Sequence, residues 1–235
     1  MRGAPGRFSA DIEKRVELPY LLYAPVPPAA EAAAARQHGP APLVLFLHGI
    51  GERGDDLLRV TKHGPPKLAT SGRDFPFLLA APQCPAGSAW ILQLDSLRAL
   101  LLDLIRQHPV DTSRIYLTGL SMGGFGTWHL AVENPHAFAA IVPICGGAAS
   151  ATALAERMPA IAHVPTRVYH GAKDTVVLPR KSEELVQALR AAGGNVAYTL
   201  YPDAEHDSWT RTYEDPSLWD WLLAQRNPDF RIPEI

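Results

Sequence analysis

Residues 115–128, reading I-Y-L-T-G-L-S-M-G-G-F-G-T-W, leave the chain few ways to fold. Four residues of strand character run directly into Gly119-Leu120-Ser121-Met122-Gly123, and a helical pattern begins with no polar linker between. A strand that reverses into a helix within one turn holds the apical serine in strained backbone. The residues two before and two after must then lack a Cβ that would strike the neighbouring chain. Gly119 and Gly123 supply that room, and Gly124 and Gly126 let the helix pack close. The turn lifts the Ser121 hydroxyl above the sheet. The N–H of Met122, at the helix N-terminus, faces the place where charge on a bound oxygen would develop. Strand before and helix after distinguish this pentapeptide from a glycine-rich turn with an incidental serine.

The rest of the chain supplies the sheet. Residues 43–47, Leu-Val-Leu-Phe-Leu, form a continuous apolar run. Such a run marks a strand covered on both faces, hence a parallel sheet with helices outside. Similar runs predict strands over 77–81, 139–144, 166–170 and 197–201. An early strand over 16–24 belongs near a sheet edge, because Pro19 cannot donate to a ladder. The clearest helix is 95–107, where Leu97, Leu100, Leu101, Leu104 and Ile105 share one face. Further helices are expected after Ser121 to about residue 133, over 179–192 with Leu185 and Leu189 inward, and over 216–225 with Leu218, Trp219 and Leu222 packing. Asp111-Thr112-Ser113 reads as a turn, and the Pro- and Ala-rich segment 25–42 as a surface connection. The alternation is that of a doubly wound, mostly parallel α/β sheet in one domain, 1–235. Residues 147–165 are too few for a large cap, so the cleft is expected to be open to bulky or polymer-attached substrates.

Composition excludes several partners. A net charge of −2 and no basic stripe argue against nucleic acid. No run approaches the roughly 20 apolar residues of a membrane span, and the charged segment 1–17 lacks a signal-peptide core; a cytoplasmic location is expected. Cys84 and Cys145 lack ligand spacing and read as buried free thiols. No HExxH unites the histidines, so no metal is expected. Gly49, Gly51 and Gly54 match G-x-G-x-x-G literally. A dinucleotide site would need the third glycine to open a helix and an acid ending the next strand, whereas Gly64-Pro65-Pro66 soon follows and Asp74 precedes that strand. No cofactor is expected.

A serine hydroxyl needs a base to take its proton, and the base needs a carboxylate to fix its tautomer. Asp174 follows the strand at 166–170, and His206 is the one histidine beyond the strand at 197–201. In this chain order they are the candidate acid and base. Capping of the helix near Pro179 is the competing role for Asp174. Glu205 and Asp207 are too close in sequence to fold back onto the His206 ring, and His170 reads as a packed histidine. The loop after 43–47 brings a second oxyanion amide, from Ile50 with Gly51 as alternative, to join that of Met122. Gln83, Trp90 and Trp209 are candidate walls of the substrate site. The set spells acyl transfer through an acyl-enzyme.

L-H-G-I-G-E-R-G-D-D (47–56), A-P-Q-C-P (81–85), the stretch 111–128, H-G-A-K-D (170–174) and E-H-D-S-W (205–209) together resemble the carboxylesterase/phospholipase branch of the α/β-hydrolases. That branch includes feruloyl-esterase-like and polyhydroxybutyrate-depolymerase-like proteins, often labelled predicted peptidases. The resemblance implies an α/β-hydrolase fold without a large cap, and hydrolysis of small-molecule esters with short acyl or aryl, feruloyl-type groups. It places Ser121, Asp174 and His206 at the triad positions. A peptidase of the same fold and a non-catalytic binding protein are the alternatives, and a homodimer is compatible with either chemistry. The N-terminus departs from secreted esterases of this kind by showing no export signal, which argues against extracellular polymer degradation.

Overall fold

The computed structural model describes residues 15–25 and 39–232. The strands are β1 (Tyr20–Tyr23), β2 (Ala41–Leu47), β3 (Leu78–Pro82), β4 (Val110–Leu120), β5 (Ala140–Ile144), β6 (Thr166–Gly171) and β7 (Val196–Tyr201). They form one sheet in the order β1-β3-β2-β4-β5-β6-β7. Every pairing is parallel except β1 with β3. β1 lies at an edge, as expected, but it is shorter than the 16–24 expected and begins just after Pro19. Most of the Pro- and Ala-rich connection falls outside the described residues.

The helices are α1 (Gly64–Thr70), α2 (Leu94–Gln107), α3 (Met122–Glu133), α4 (Ala151–Ala155), α5 (Arg180–Ala191), α6 (Trp209–Glu214) and α7 (Pro216–Ala224). Strand periodicity sorts the side chains of β2 between the two faces. Leu43, Leu45 and Leu47 join a cluster with Leu97 and Leu101 of α2, Leu130 of α3, and Leu185 and Leu189 of α5. Val44 and Phe46 join Tyr213 of α6 and Leu218, Trp219 and Leu222 of α7. Each fully buried leucine contributes ~1.5–3 kcal/mol of transfer free energy, so covering both faces of the central strands is what holds the layers together.

The structure departs from the sequence reading in several further places. Gly64-Pro65-Pro66, to which the sequence reading gave no element, opens α1, because prolines in a first helical turn forfeit no intrahelical donor. The turn expected at Asp111-Thr112-Ser113 is drawn into β4, although Asp111 Oδ1 still accepts from the Ser113 N–H at 3.0 Å. Helix α6 was not anticipated; Asp207 Oδ1 accepts the Thr210 N–H at its start. Between β5 and β6 a short helix and a 3-10 turn, neither of them anticipated, bury Leu154, Met158 and Ile161 against the main core, in keeping with the expected lack of a large cap.

β3 and β4 lie on opposite sides of β2, so the winding direction reverses between β2 and β4. At such a point the loops leaving the carboxyl ends of the strands diverge and open a crevice. The loop after β2 and the turn after β4 flank it.

Candidate active site

Ser121 sits between β4 and α3 with φ 52° and ψ −117°. A left-handed φ on a residue with a Cβ costs on the order of 1–3 kcal/mol and persists only where the surroundings enforce it. Two glycines do so by close approach. A Cβ on Gly123 would overlap the carbonyl of Leu47, and one on Gly119 would lie 2.5 Å from the Gly123 oxygen. The Ser121 N–H is held from below, donating to the Ile144 carbonyl at 2.9 Å and to Cys145 Sγ at 3.3 Å. Cys145 is itself left-handed, with φ 39°.

The loops after β6 and β7 deliver the other two residues. Ser121 Oγ lies 3.0 Å from His206 Nε2, and His206 Nδ1 lies 2.7 Å from Asp174 Oδ2. Asp174 is buried, and its Oδ1 accepts the N–H groups of Val176 and Val177, each at 2.9 Å. Burial alone would raise its pKa, but the hydrogen bonds from His206, Val177 and Val176 and the nearby imidazole charge hold it below the usual carboxylate range. An acid kept ionised there fixes a proton on His206 Nδ1 and leaves Nε2 free to accept one.

The two loops are joined to each other. The Ala172 N–H donates to Tyr201 O at 2.8 Å and the Lys173 N–H to Ala204 O at 2.9 Å. Gly171 carries no Cβ where one would strike the Glu205 carbonyl. Trp209 closes the far side, with its ring edge-on to His206 at 5.3 Å and an interplanar angle of 88°.

A cavity of about 300 Å³ opens beside Ser121, lined by Ile50, Trp90, Ile91, Met122, Phe125 and Val176 among others. Ile50 begins a 3-10 turn and Met122 begins α3, so both N–H groups precede any intrahelical acceptor. Gly51 does not line the cavity and has open space beside it. Trp90 does line it, with its indole N–H donating to His48 O at 2.9 Å. Gln83 is a different matter. Its side chain is fully buried and donates to the carbonyls of Glu52 at 2.9 Å and Asp56 at 2.7 Å, so it holds the loop that carries Ile50 and does not reach the cavity wall. Trp209 likewise flanks the imidazole and is not part of that wall.

Two histidines brace the loops around the site; the sequence reading named only His170, as a packed residue. His48 Nε2 accepts the Cys84 N–H at 3.0 Å and Nδ1 lies 2.6 Å from Gly49 O, which fixes a neutral ring protonated on Nδ1. Burial lowers its pKa to about 4, with Arg53 adding to the effect and the Gly49 hydrogen bond opposing it. His170, fully buried as a packed histidine should be, lies 2.8 Å from Ser182 Oγ and 2.8 Å from Val177 O. The paired L-H-G and H-G-A-K-D segments were the available signal, since each places a histidine at a strand end next to a glycine. Both cysteines are buried and free. Among the described residues one group offers three metal-ligand atoms within 4.8 Å, on Cys145, Asp174 and His206. His206 and Asp174 already spend theirs on each other, and burial pushes the Cys145 thiol far above its usual range.

A mostly parallel sheet of this order, with a serine in a left-handed turn after the fourth strand and an acid and a histidine after the sixth and seventh, defines an α/β-hydrolase. The phospholipase/carboxylesterase family profile matches residues 89–217, over half of the chain, and the chain belongs to that family. It is similar to a solved thermostable esterase, with 34% identity and a TM-score of 0.71 over 90% of this chain and 60% of that one. It is 26% identical over 155 residues to the bifunctional acetylxylan esterase/xylanase XynS20E of Neocallimastix patriciarum, covering 64% of this chain and 22% of that protein. It is 29% identical over 122 residues to poly(3-hydroxyalkanoate) depolymerase C of Paucimonas lemoignei, covering 46% and 28% respectively. The chain thus spans less than a third of the length of either relative. Among the described residues no helix is long and apolar enough to cross a membrane.

Proposed function

We propose that this protein is a serine carboxylesterase that works through an acyl-enzyme on Ser121. The observation that carries the reading is the continuous hydrogen-bond path from Ser121 Oγ through both nitrogens of His206 to Asp174, at 3.0 and 2.7 Å. Ser121 Oγ attacks the ester carbonyl carbon while His206 Nε2 takes its proton. The new C–O bond forms, and the former carbonyl oxygen becomes an oxyanion that accepts from the N–H groups of Met122 and Ile50, with Gly51 as the alternative donor. Collapse of this intermediate breaks the bond to the alcohol, which leaves with the proton from His206. A water then repeats the sequence and releases the acid. Asp174 stays ionised throughout and stabilises the transient imidazolium.

Ser121→Ala tests the reading. The variant should keep its circular dichroism spectrum and lose turnover of a nitrophenyl ester, and a fluorophosphonate should label the wild type at Ser121 alone. Undiminished turnover in the variant would refute the assignment.

A further inference from the structure

Resting on the esterase reading above, we propose that Glu52 and His63 form a second subsite, on the alcohol side of Ser121, for an alcohol half that carries a free hydroxyl next to the ester oxygen. Glu52 ends the 3-10 turn that Ile50 begins, and it is 3% exposed. A point beside Gly49 relates it to the nucleophile: where a Cβ on Gly49 would stand, Glu52 Oε2 is 3.1 Å away and Ser121 Cβ 3.8 Å away. The carboxylate is thus a near neighbour of the reacting serine, and the mechanism above gives it no task.

The surroundings leave this carboxylate short of donors. Among the described residues it accepts no hydrogen bond, and its one ionic neighbour is His63, whose Nε2 lies 3.8 Å from Oε1. Arg53, next in the chain, is directed elsewhere, its Nε donating to Ile50 O at 3.1 Å and its Nη1 to Ser88 O at 2.8 Å. Burial holds the His63 pKa below its usual value, with Glu52 and Asp207 opposing and Lys62 and Lys67 adding to the effect. At neutral pH the ring is therefore uncharged and does not neutralise the acid. A buried carboxylate without a donor is costly, and the group that completes it must bring one.

A hydroxyl fits that gap better than a cation does. One oxygen can stand within hydrogen-bond distance of two atoms 3.8 Å apart, donating its hydrogen to Glu52 and accepting from His63 when Nε2 carries the proton. Lys62 and Lys67 already balance Glu52 and Asp207 around the ring, so donors are lacking there and charge is not. The opening is also narrow, with 4% of the Glu52 side chain and 26% of the His63 side chain reaching solvent.

The position suits the alcohol half. His206 Nε2 returns its proton to the alcohol oxygen, so that half lies on the imidazole's side of Ser121. On that side Trp209 stands edge-on to His206, and His63 stands edge-on to Trp209, with centroids 5.4 Å apart and an interplanar angle of 65°. Glu52, His63 and Trp209 all lie outside the wall of the cavity that Met122 and Phe125 line.

The decisive comparison varies the alcohol alone, between 2-hydroxyethyl and 2-methoxyethyl butyrate, which differ in the donor hydrogen and little in the reactivity of the ester. Wild-type kcat/KM should be about 10-fold higher on the hydroxyethyl ester, because the methyl ether has no hydrogen to give the carboxylate. Glu52→Leu should bring the two esters to within about 2-fold of each other, whereas Glu52→Gln, whose amide oxygen still accepts, should keep part of the preference. His63→Ala, a change at a part-exposed ring, should narrow the ratio about 3-fold and reads the subsite even where a Glu52 variant fails to fold. An undiminished preference in Glu52→Leu and His63→Ala would overturn the subsite, and so would faster turnover of choline butyrate than of the hydroxyethyl ester, which would make it a cation site. Equal wild-type rates on the hydroxyethyl and methoxyethyl esters, both abolished by Ser121→Ala, would overturn the subsite and leave the esterase reading standing. Failure to hydrolyse any of the three esters, with no fluorophosphonate label on Ser121, would overturn the esterase reading and this inference with it.

Discussion

Nε2 of His170 lies 3.2 Å from Oδ2 of Asp174, the same oxygen that faces His206. The acid candidate is therefore approached by two imidazoles, one part-exposed beside Ser121 and one sealed in the core. His170 does not line the cavity itself, but its Nε2 also lies 2.8 Å from the carbonyl of Val177, which does, so the ring braces the whole turn from Asp174 to Val177. His170→Ala should lower kcat about 10-fold, since the turn that holds the Asp174 carboxylate loses the buried ring bonded to Val177 O. His170→Gln, which can return an N–H to the same place, should recover part of the loss. Equal impairment in the two variants would reduce the histidine to packing.

The acid itself is tested by Asp174→Asn. Replacing the carboxylate with an amide leaves the shape and removes the preference for a proton on His206 Nδ1, so kcat should fall roughly 100- to 10,000-fold while the fold persists. A fall of less than a factor of a few would point to Glu205 or Asp207 as the orienting group.

His48 should make the protein sensitive to mild acid. Its pKa is about 4 in the folded chain against 6.5 when unfolded, so between those values the unfolded state binds the proton more readily. The stability it contributes is complete above pH 6.5 and is lost as the pH falls toward 4. At pH 5 the loss from this one group is about 2 kcal/mol. Urea unfolding at pH 7 and pH 5 measures it, and His48→Gln should flatten that part of the dependence. An unchanged slope in the variant would assign the acid sensitivity elsewhere.

The turn at Ser121 predicts a contrast between two glycines. Gly123→Ala drives a methyl into the Leu47 carbonyl and should either prevent folding or lower the melting temperature by 10 °C or more, on the order of several kcal/mol. Gly51→Ala meets nothing within 4 Å and should melt with the parent. Thermal unfolding of both proteins decides it, and a normal melting temperature for Gly123→Ala would contradict the close approach.

What the sequence made legible follows from the range of the forces involved. β2, α2 and the elbow at Ser121 are written in local pattern: an unbroken apolar run, a shared helical face, and glycines at fixed distance from a serine. Chain order located Asp174 and His206, because residues after successive parallel strands arrive at the same edge of the sheet. Gln83 and His48 were harder. Their partners, the carbonyls of Glu52 and Asp56 and the N–H of Cys84, lie tens of residues away, and nothing in the neighbouring residues announces such bonds. α1 was hidden for a local reason, as a Gly-Pro-Pro that looks like an interruption is also a good way to begin a helix. Trp209, a candidate wall of the substrate site, stands edge-on to the His206 ring and outside the cavity beside Ser121, a placement set by the fold of α6 that no local pattern announces.

The bonds between the loops of Asp174 and His206 determine how this site behaves when it moves. Lys173 is tied to Ala204 and Ala172 to Tyr201, so acid and base travel as a geared pair. Ser121 is anchored separately, by the glycines of its own turn and by the bonds of its N–H to Ile144 O and Cys145 Sγ. A displacement of these joined loops relative to the turn would therefore widen the gap between hydroxyl and imidazole before it touched the contact that orients the ring.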